Sequence, residues 1–365
     1  MSATPNINSA KISGFPLNKF DATSAPTTGD DSADGYSVGS RWIDITNDKA
    51  YNCVDATASN AVWIEAGGAS GGKVGIANTS GEYTYYATYT LALAAASSGE
   101  TIEQFGNIVE TGAVTLTIPV GVSINMNGYS YTLSGQAQTA VINTANNALQ
   151  KVKLINGTII HTGTGGGSYI YGLSVGNSPI LDCTGLTVIS DAAYALNYNT
   201  TAVGIGRITG GSFINSGNST GWAGIVEGHV TGAYFNTDTC TSGLRVTGGS
   251  ISNSIIDGLV TVLSAAELNN CRVIGSAQGT AVANQGTVNS CYITSETHYG
   301  ISQSGNGKTF NSHVRSSANN GIFSNGANTE VDNCKIYSAT TYGFYGTSDP
   351  EITNSEIQSL AFSAV

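Results

Sequence analysis

Glu227 and His229 stand two residues apart in a chain where ionisable side chains are sparse, and a carboxylate beside an imidazole is the smallest arrangement that could move a proton. Asp191 is a further acid in the same region, and Asp182, Asp238 and Asp257 complete the carboxylates there. Cleaving a glycosidic bond takes two such groups about 5 to 10 Å apart across it. Glu227, His229 and Asp191 are therefore the candidate catalytic residues, although acids scattered over a repetitive surface need no catalytic reason, and the reading leans away from an enzyme. Tyr169, Tyr171, Tyr194, Tyr198 and Trp222, with His161, cluster in the same stretch. A sugar ring has an apolar face and a hydroxyl rim, so these five aromatics are the candidate glycan contacts; they could equally pack loops or face a neighbouring chain. No acidic cluster suits calcium, and neither a phosphate-cradling Gly-Lys-Ser/Thr loop nor a nucleophile elbow occurs. No cofactor and no metal site is expected.

What must position these residues is a repeat. Segments beginning at Met126, Leu154, Cys183, Ile208, Val230, Ile251, Leu268, Val288, Phe310, Val331 and Ile352 share a pattern, at intervals of 17 to 29 residues. Two residues after each start comes a turn column: Gly128, Asn156, Gly185, Gly210, Gly232, Asn253, Asn270, Ser290, Ser312, Asn333 and Asn354. Gly and Asn tolerate a left-handed backbone, as a stack of equivalent bends requires. Five residues after each start comes an apolar partner (Tyr131, Ile159, Val188, Phe213, Phe235, Ile256, Val273, Ile293, Ile336, Ile357), with Arg315 out of place. Burying an unpaired guanidinium is costly, so Arg315 is expected to point outward and Val314 inward. A second column of glycines (Gly172, Gly204, Gly224, Gly243, Gly258, Gly279, Gly300, Gly321, Gly343) opens further β-prone stretches. The expected fold is all-β: a right-handed parallel β-helix of about eleven coils.

Aromatic candidates sit where the two columns are farthest apart. From start to glycine the gap is 18, 21 and 16 residues in the coils from Leu154, Cys183 and Ile208, but only 11 to 12 in those from Leu268, Val288, Phe310 and Val331. Long loops are thus expected on one side of the earlier coils.

Composition agrees with strands and turns: of 365 residues 47 are Gly and only 10% are charged. A net charge of −11 argues against a nucleic-acid partner, and no run of apolar residues is long enough to insert in a membrane. No secretion leader is read at the N-terminus. Cys271, Cys291 and Cys334 fall three residues after a coil start, with His313 at the same offset. A column of small buried thiols is expected, all six cysteines reduced, since stacked side chains meet with poor disulfide geometry and in a line rather than a zinc tetrahedron.

Ahead of the repeat, residues 1–15 read as an extended arm, 16–66 as a small β-meander with Tyr36, Trp42, Tyr51 and Trp63 as its core, 67–99 as linker, strands and a helix, and 100–365 as the β-helix. The helix is placed at Thr90 to Ala96, where it would plug the open end of the stack.

The stretch from Phe20 to Asp31 with Pro26 and Gly29, followed by Gly35-Tyr36-Ser37-Val38-Gly39-Ser40-Arg41-Trp42-Ile43-Asp44 and Ala61-Val62-Trp63-Ile64, resembles a small module near the N-termini of bacteriophage tail fibre, tailspike and other virion appendage proteins. Tyr89 to Gly135, with Ile118-Pro119-Val120-Gly121-Val122 and Asn127-Gly128, resembles the opening coils of pectate-lyase-like right-handed β-helices, the body of many phage tailspikes. The resemblance implies a homotrimer that is made in the host cytoplasm, joins other virion proteins through its N-terminus, and attaches to host surface polysaccharide. Two alternatives stay open: a tailspike depolymerase, whether hydrolase or lyase, and a capsid head fibre or decoration protein. With the last coil starting at Ile352, no separate C-terminal trimerisation or receptor domain is expected.

Overall fold

The computed structural model describes residues 16–365 apart from 48, 66–72, 112–115, 120, 135–141, 145–150, 163–170, 177–179, 192–193, 200–205, 218–221, 223, 238–241, 276–278, 348 and 361–365. It divides into two compact units, one within residues 1–73 together with 84–88, the other formed by 74–83 and 89–365.

The first unit is a four-stranded sheet in the order Lys19–Ala22, Arg41–Asp44, Lys49–Asp55, Val62–Glu65. Its last three strands are the expected antiparallel meander, and Lys19–Ala22 adds a parallel strand beside Arg41–Asp44. Alternation could not reveal this strand, because it has four residues and only one of them is buried. Tyr36, Trp42 and Trp63 form a triangle of rings with centroids 5.2 to 5.8 Å apart, against which Tyr51 and Leu17 pack. Both indole N–H groups donate to backbone carbonyls at 2.8 Å, Trp42 to Ser24 and Trp63 to Asp30. Trp42 is buried within the unit.

The second unit winds through three parallel sheets. Among the described residues sheet 1 has twelve coil strands, from Thr101–Gln104 to Glu351–Thr353, sheet 2 has twelve, from Ile108–Thr111 to Glu356–Ser359, and sheet 3 has eleven, from Leu116–Ile118 to Phe344–Gly346. This is the expected parallel β-helix. Its first coil strand, Thr101–Gln104, lies one coil ahead of the repeat start at Met126. The helix Tyr89–Ala95 buries Tyr89, Ala92 and Leu93, and the Tyr89 hydroxyl donates to Gln104 Oε1 at 2.8 Å. With Val74–Ala77 laid antiparallel on Thr101–Gln104, it closes the first coil.

The partner column is the spine of sheet 2: Tyr131, Ile159, Val188, Phe213, Phe235, Ile256, Val273, Ile293, Val314, Ile336 and Ile357 pair in register. Val314 is buried and Arg315 exposed, as expected. The start column needs corrections in four coils. Ile124, not Met126, pairs with Leu154, while Leu154 and Cys183 themselves lie two beyond Val152 and Leu181, which pair with each other and lead on to Ile208. Thr309, not Phe310, pairs with Val288 and Val331. A hydroxyl is tolerated inside because it donates to Gln303 Oε1 at 3.1 Å, and an apolar Phe beside a polar inward Thr misleads any pattern built on hydrophobicity. That coil therefore bends at Asn311 (φ 51°) rather than Ser312, while the other ten turn-column residues all have positive φ. Their side chains form a ladder along the corner, with Asn270 donating to Asn253 at 2.7 Å and Asn333 to Asn311 at 2.8 Å.

The same one-residue correction places Ser312, not His313, in the cysteine column. Each Oγ or Sγ there accepts from the backbone N–H one coil back: Cys271 N–H to Cys291 Sγ at 3.5 Å, Cys291 N–H to Ser312 Oγ at 3.1 Å, Cys334 N–H to Ser355 Oγ at 3.1 Å. Thiols and hydroxyls thus serve one role, satisfying amides where the sheet ladder breaks. Cys53, Cys183, Cys271, Cys291 and Cys334 are free and buried, and Cys240 lies outside the described residues. Burial pushes the Cys183 and Cys334 thiols up, away from the reactive thiolate. Thiol titration is expected to find six groups in denaturant and slow reaction of 183, 271, 291 and 334 in the native protein. A protected Cys271–Cys291 pair in denaturant would contradict this.

The second glycine column is partly redrawn. Gly300, Gly321 and Gly343 pair in register, and a Cβ there would come 2.5 to 2.6 Å from Val314, Ile336 and Ile357. Their role is close packing of sheet 3 against the spine. Ala195 and Ala281 fill the same position in other coils, so a small residue suffices, whereas Gly224, Gly258 and Gly279 lie one or two residues off it. Gly204 lies outside the described residues.

Candidate functional site

In a strand of sheet 2 the side chains alternate between the core and solvent, so every coil that buries Val273, Ile293, Val314 or Ile336 must present its flanking residues outward. Over the last coils these outward residues form two columns. One runs Arg272, Tyr292, His313, Lys335, Glu356; the other runs Thr294, Arg315, Tyr337, Gln358. Between them lies a groove of about 380 Å³ lined by Tyr292, His313, Arg315, Lys335, Ile336, Tyr337, Glu356 and Gln358.

Its members hold one another in place. The Tyr292 ring meets His313 edge-on with centroids 4.9 Å apart, and the Arg315 guanidinium lies 5.4 Å from the Tyr337 ring. Lys335 Nζ is 3.8 Å from Glu356, with both side chains well exposed, so this pair contributes at most about 1 kcal/mol. The groove combines apolar ring surface, planar and flexible cations, a carboxylate and an amide along a straight wall. That is an inventory for binding the faces and rims of sugar rings.

Residues singled out in the sequence are spread over other parts of the rod. Tyr198 is completely buried in the strand Tyr194–Asn199, in register with Val175 and Val226, and cannot meet a surface glycan. His161 is likewise an inward residue of the strand Gly157–Thr162, not a loop residue. Both rings were placed on loops because the widely spaced columns hid strands that continue into the core. Tyr171 and Tyr194 do come together, half-buried and with centroids 5.3 Å apart, and Trp222 carries the Arg245 guanidinium 5.3 Å from its ring. Tyr169 and Asp238 lie outside the described residues.

Asp191 sits at one corner, Glu227 and His229 at another. Asp191 follows the strand Leu186–Ser190 of sheet 2, whereas Glu227 follows Gly224–Val226 of sheet 3. His229 opens the next strand of sheet 1, and its Nδ1 is 2.9 Å from Ser250 Oγ. Asp182 accepts from Thr184, and Asp257 accepts from the Tyr234 hydroxyl at 3.3 Å. Among the described residues no three His, Cys, Asp or Glu side chains group to hold a metal ion. The sheet 2 groove went unremarked in the sequence because its residues lie in the short-loop coils. Its one visible signal was the misfit Arg315.

No family model matches the chain, and no curated protein does. Two solved structures from Azotobacter vinelandii are similar to it: the A-module of mannuronan C-5 epimerase AlgE4, at 13% identity over 74% of this chain and 93% of that one with a TM-score of 0.48, and the A-module of mannuronan C-5 epimerase AlgE6, at 12% identity over 73% and 88% with a TM-score of 0.35. At these values no site residue and no activity is carried over. What the fold and groove define together is a β-helical rod with a ligand-sized recess on one sheet.

Proposed function

We propose that this chain is an adhesive appendage protein of a bacteriophage, a tail fibre or spike whose rod binds host surface polysaccharide through the outer face of sheet 2. The observation that carries the reading is the groove itself: Tyr292, Arg315, Tyr337 and Gln358 are set outward on a rigid wall whose other face is the core. Rigid strands position contacts without the ordering cost a loop would incur on binding. The virion assignment is supported by the resemblance of residues 20–64 to appendage modules, and includes attachment through the N-terminal region and assembly as a homotrimer.

Aromatic stacking contributes on the order of 1 kcal/mol per ring, so Tyr292→Ala with Tyr337→Ala is expected to weaken attachment to host cells about tenfold while leaving the unfolding midpoint unchanged. Trp222→Ala with Tyr171→Ala serves as the comparison, since those rings belong to the other aromatic group. Loss in the second pair alone would move the site to the earlier coils. Release of reducing ends from host polysaccharide would replace adhesion by depolymerase activity, and antibody labelling on the capsid would replace it by the head-fibre reading.

A further inference from the structure

The groove is set apart from the rest of the chain by its charge. The protein has 13 Lys and Arg against 24 Asp and Glu, yet the outward positions of sheet 2 from Arg272 to Tyr337 carry Arg272, Arg315, Lys335 and His313 and no carboxylate. Asp257 and Glu356 bound the stretch at its two ends. Neither Arg272 nor Arg315 has an acidic partner among the described residues, and His313 stands directly opposite Lys335 in the register. Lys335 has Glu356 3.8 Å from its Nζ, which leaves the two guanidiniums as the cations without a carboxylate. Such an arrangement gains most from an anion that lies over it.

We propose that the sheet 2 groove binds an anionic polysaccharide, with Arg272 and Arg315 taking its carboxylate or sulfate groups and Tyr292 and Tyr337 lying against its sugar faces. The guanidinium fork fits either group with two hydrogen bonds, and the Arg315 guanidinium is held 5.4 Å from the Tyr337 ring. The two columns run along the rod, so a chain laid parallel to the axis would pass Tyr292, Arg315 and Tyr337 in turn. A nucleic acid fits less well, because three cations on a protein of net charge −11 cannot offset a phosphate backbone.

This inference rests on the adhesive reading, and the two fail separately. Binding of the full chain to immobilised polygalacturonate, dextran sulfate and neutral dextran is the measurement, with duplex DNA as competitor. Binding to one or both acidic polymers and not to dextran is expected, weakened by added salt and about tenfold or more by Arg272→Gln with Arg315→Gln. Polygalacturonate alone would identify a carboxylate ligand, dextran sulfate alone a sulfated one. Dextran bound as tightly as the acidic polymers, arginine variants with parental affinity, or DNA competing as well as the polysaccharides would each overturn it. If host attachment then still fell in the Tyr292→Ala, Tyr337→Ala variant, the adhesive reading would stand with a neutral ligand. Attachment unchanged in both the arginine and the tyrosine variants would end both.

Discussion

Gly321→Val is expected to lower the stability of the rod by about 3 kcal/mol, the upper end of what overpacking a close-packed interior costs. A Cβ at Gly321 would lie 2.5 Å from Ile336 Cγ2 and 2.6 Å from the Gly343 carbonyl oxygen, so neither a rotamer change nor a small side-chain shift relieves both contacts. Relief would require sheet 3 to move away from the spine at that coil, which opens the neighbouring coils too. Gly279→Val is the control: in the sequence it belongs to the same glycine column, but a Cβ there has nothing within 4 Å. Its effect should stay within about 0.5 kcal/mol. Urea midpoints of the two variants measured side by side decide the matter, and equal midpoints would show that Gly321 does not pack against Ile336.

A second large effect is expected in the opposite direction. His161 is fully buried, and its two ring nitrogens, the Ser190 Oγ in register with it on the next coil, and the Tyr198 hydroxyl all lack a hydrogen-bond partner among the described residues. Burial holds the imidazole below its ordinary pKa, with Asp191 opposing the shift. The unfolded chain therefore takes up a proton that the folded chain refuses. Stability is full above the unfolded value of about 6.5 and falls as the pH drops through it, until the folded-state pKa is reached. Leu133 occupies the equivalent position one coil earlier, so His161→Leu should be accommodated, raise stability by about 1–3 kcal/mol at neutral pH, and flatten its decline toward pH 5. Unfolding midpoints across that range test it, and an unchanged pH slope would mean that His161 is charged or hydrated in the fold.

Much of the architecture was legible because left-handed bends are chemically expensive. Ten of the eleven turn-column residues have positive φ, since Gly and Asn are almost the only residues that adopt it without strain. The spine was legible for a similar reason, as a buried position repeated every coil admits few side chains. What failed was the identity of residues at places where chemistry can be supplied by a neighbour. Thr309 replaces an apolar start because Gln303 accepts its hydroxyl, and Ala281 replaces a glycine because the space needs only a small group. The third sheet was only half visible, since its strands follow loops of variable length. Of the groove only the misfit Arg315 was visible: its residues are outward and unpatterned, and their proximity exists only once adjacent coils are stacked in register. Tyr198 shows the converse error, an aromatic residue read as surface that the strand alternation turns inward.

The alternation in sheet 2 also bears on how the groove could change its ligand. Each four-residue strand devotes two side chains to the interior and frees the other two from any part in holding the coil, so Arg315 or Gln358 can be exchanged at little thermodynamic risk. Recognition and folding are written on separate letters of the same short word. Under the adhesive proposal, single replacements along the wall would therefore shift the groove from one polymer to another, each intermediate remaining a stable rod, with no need to redesign a loop or open a cavity.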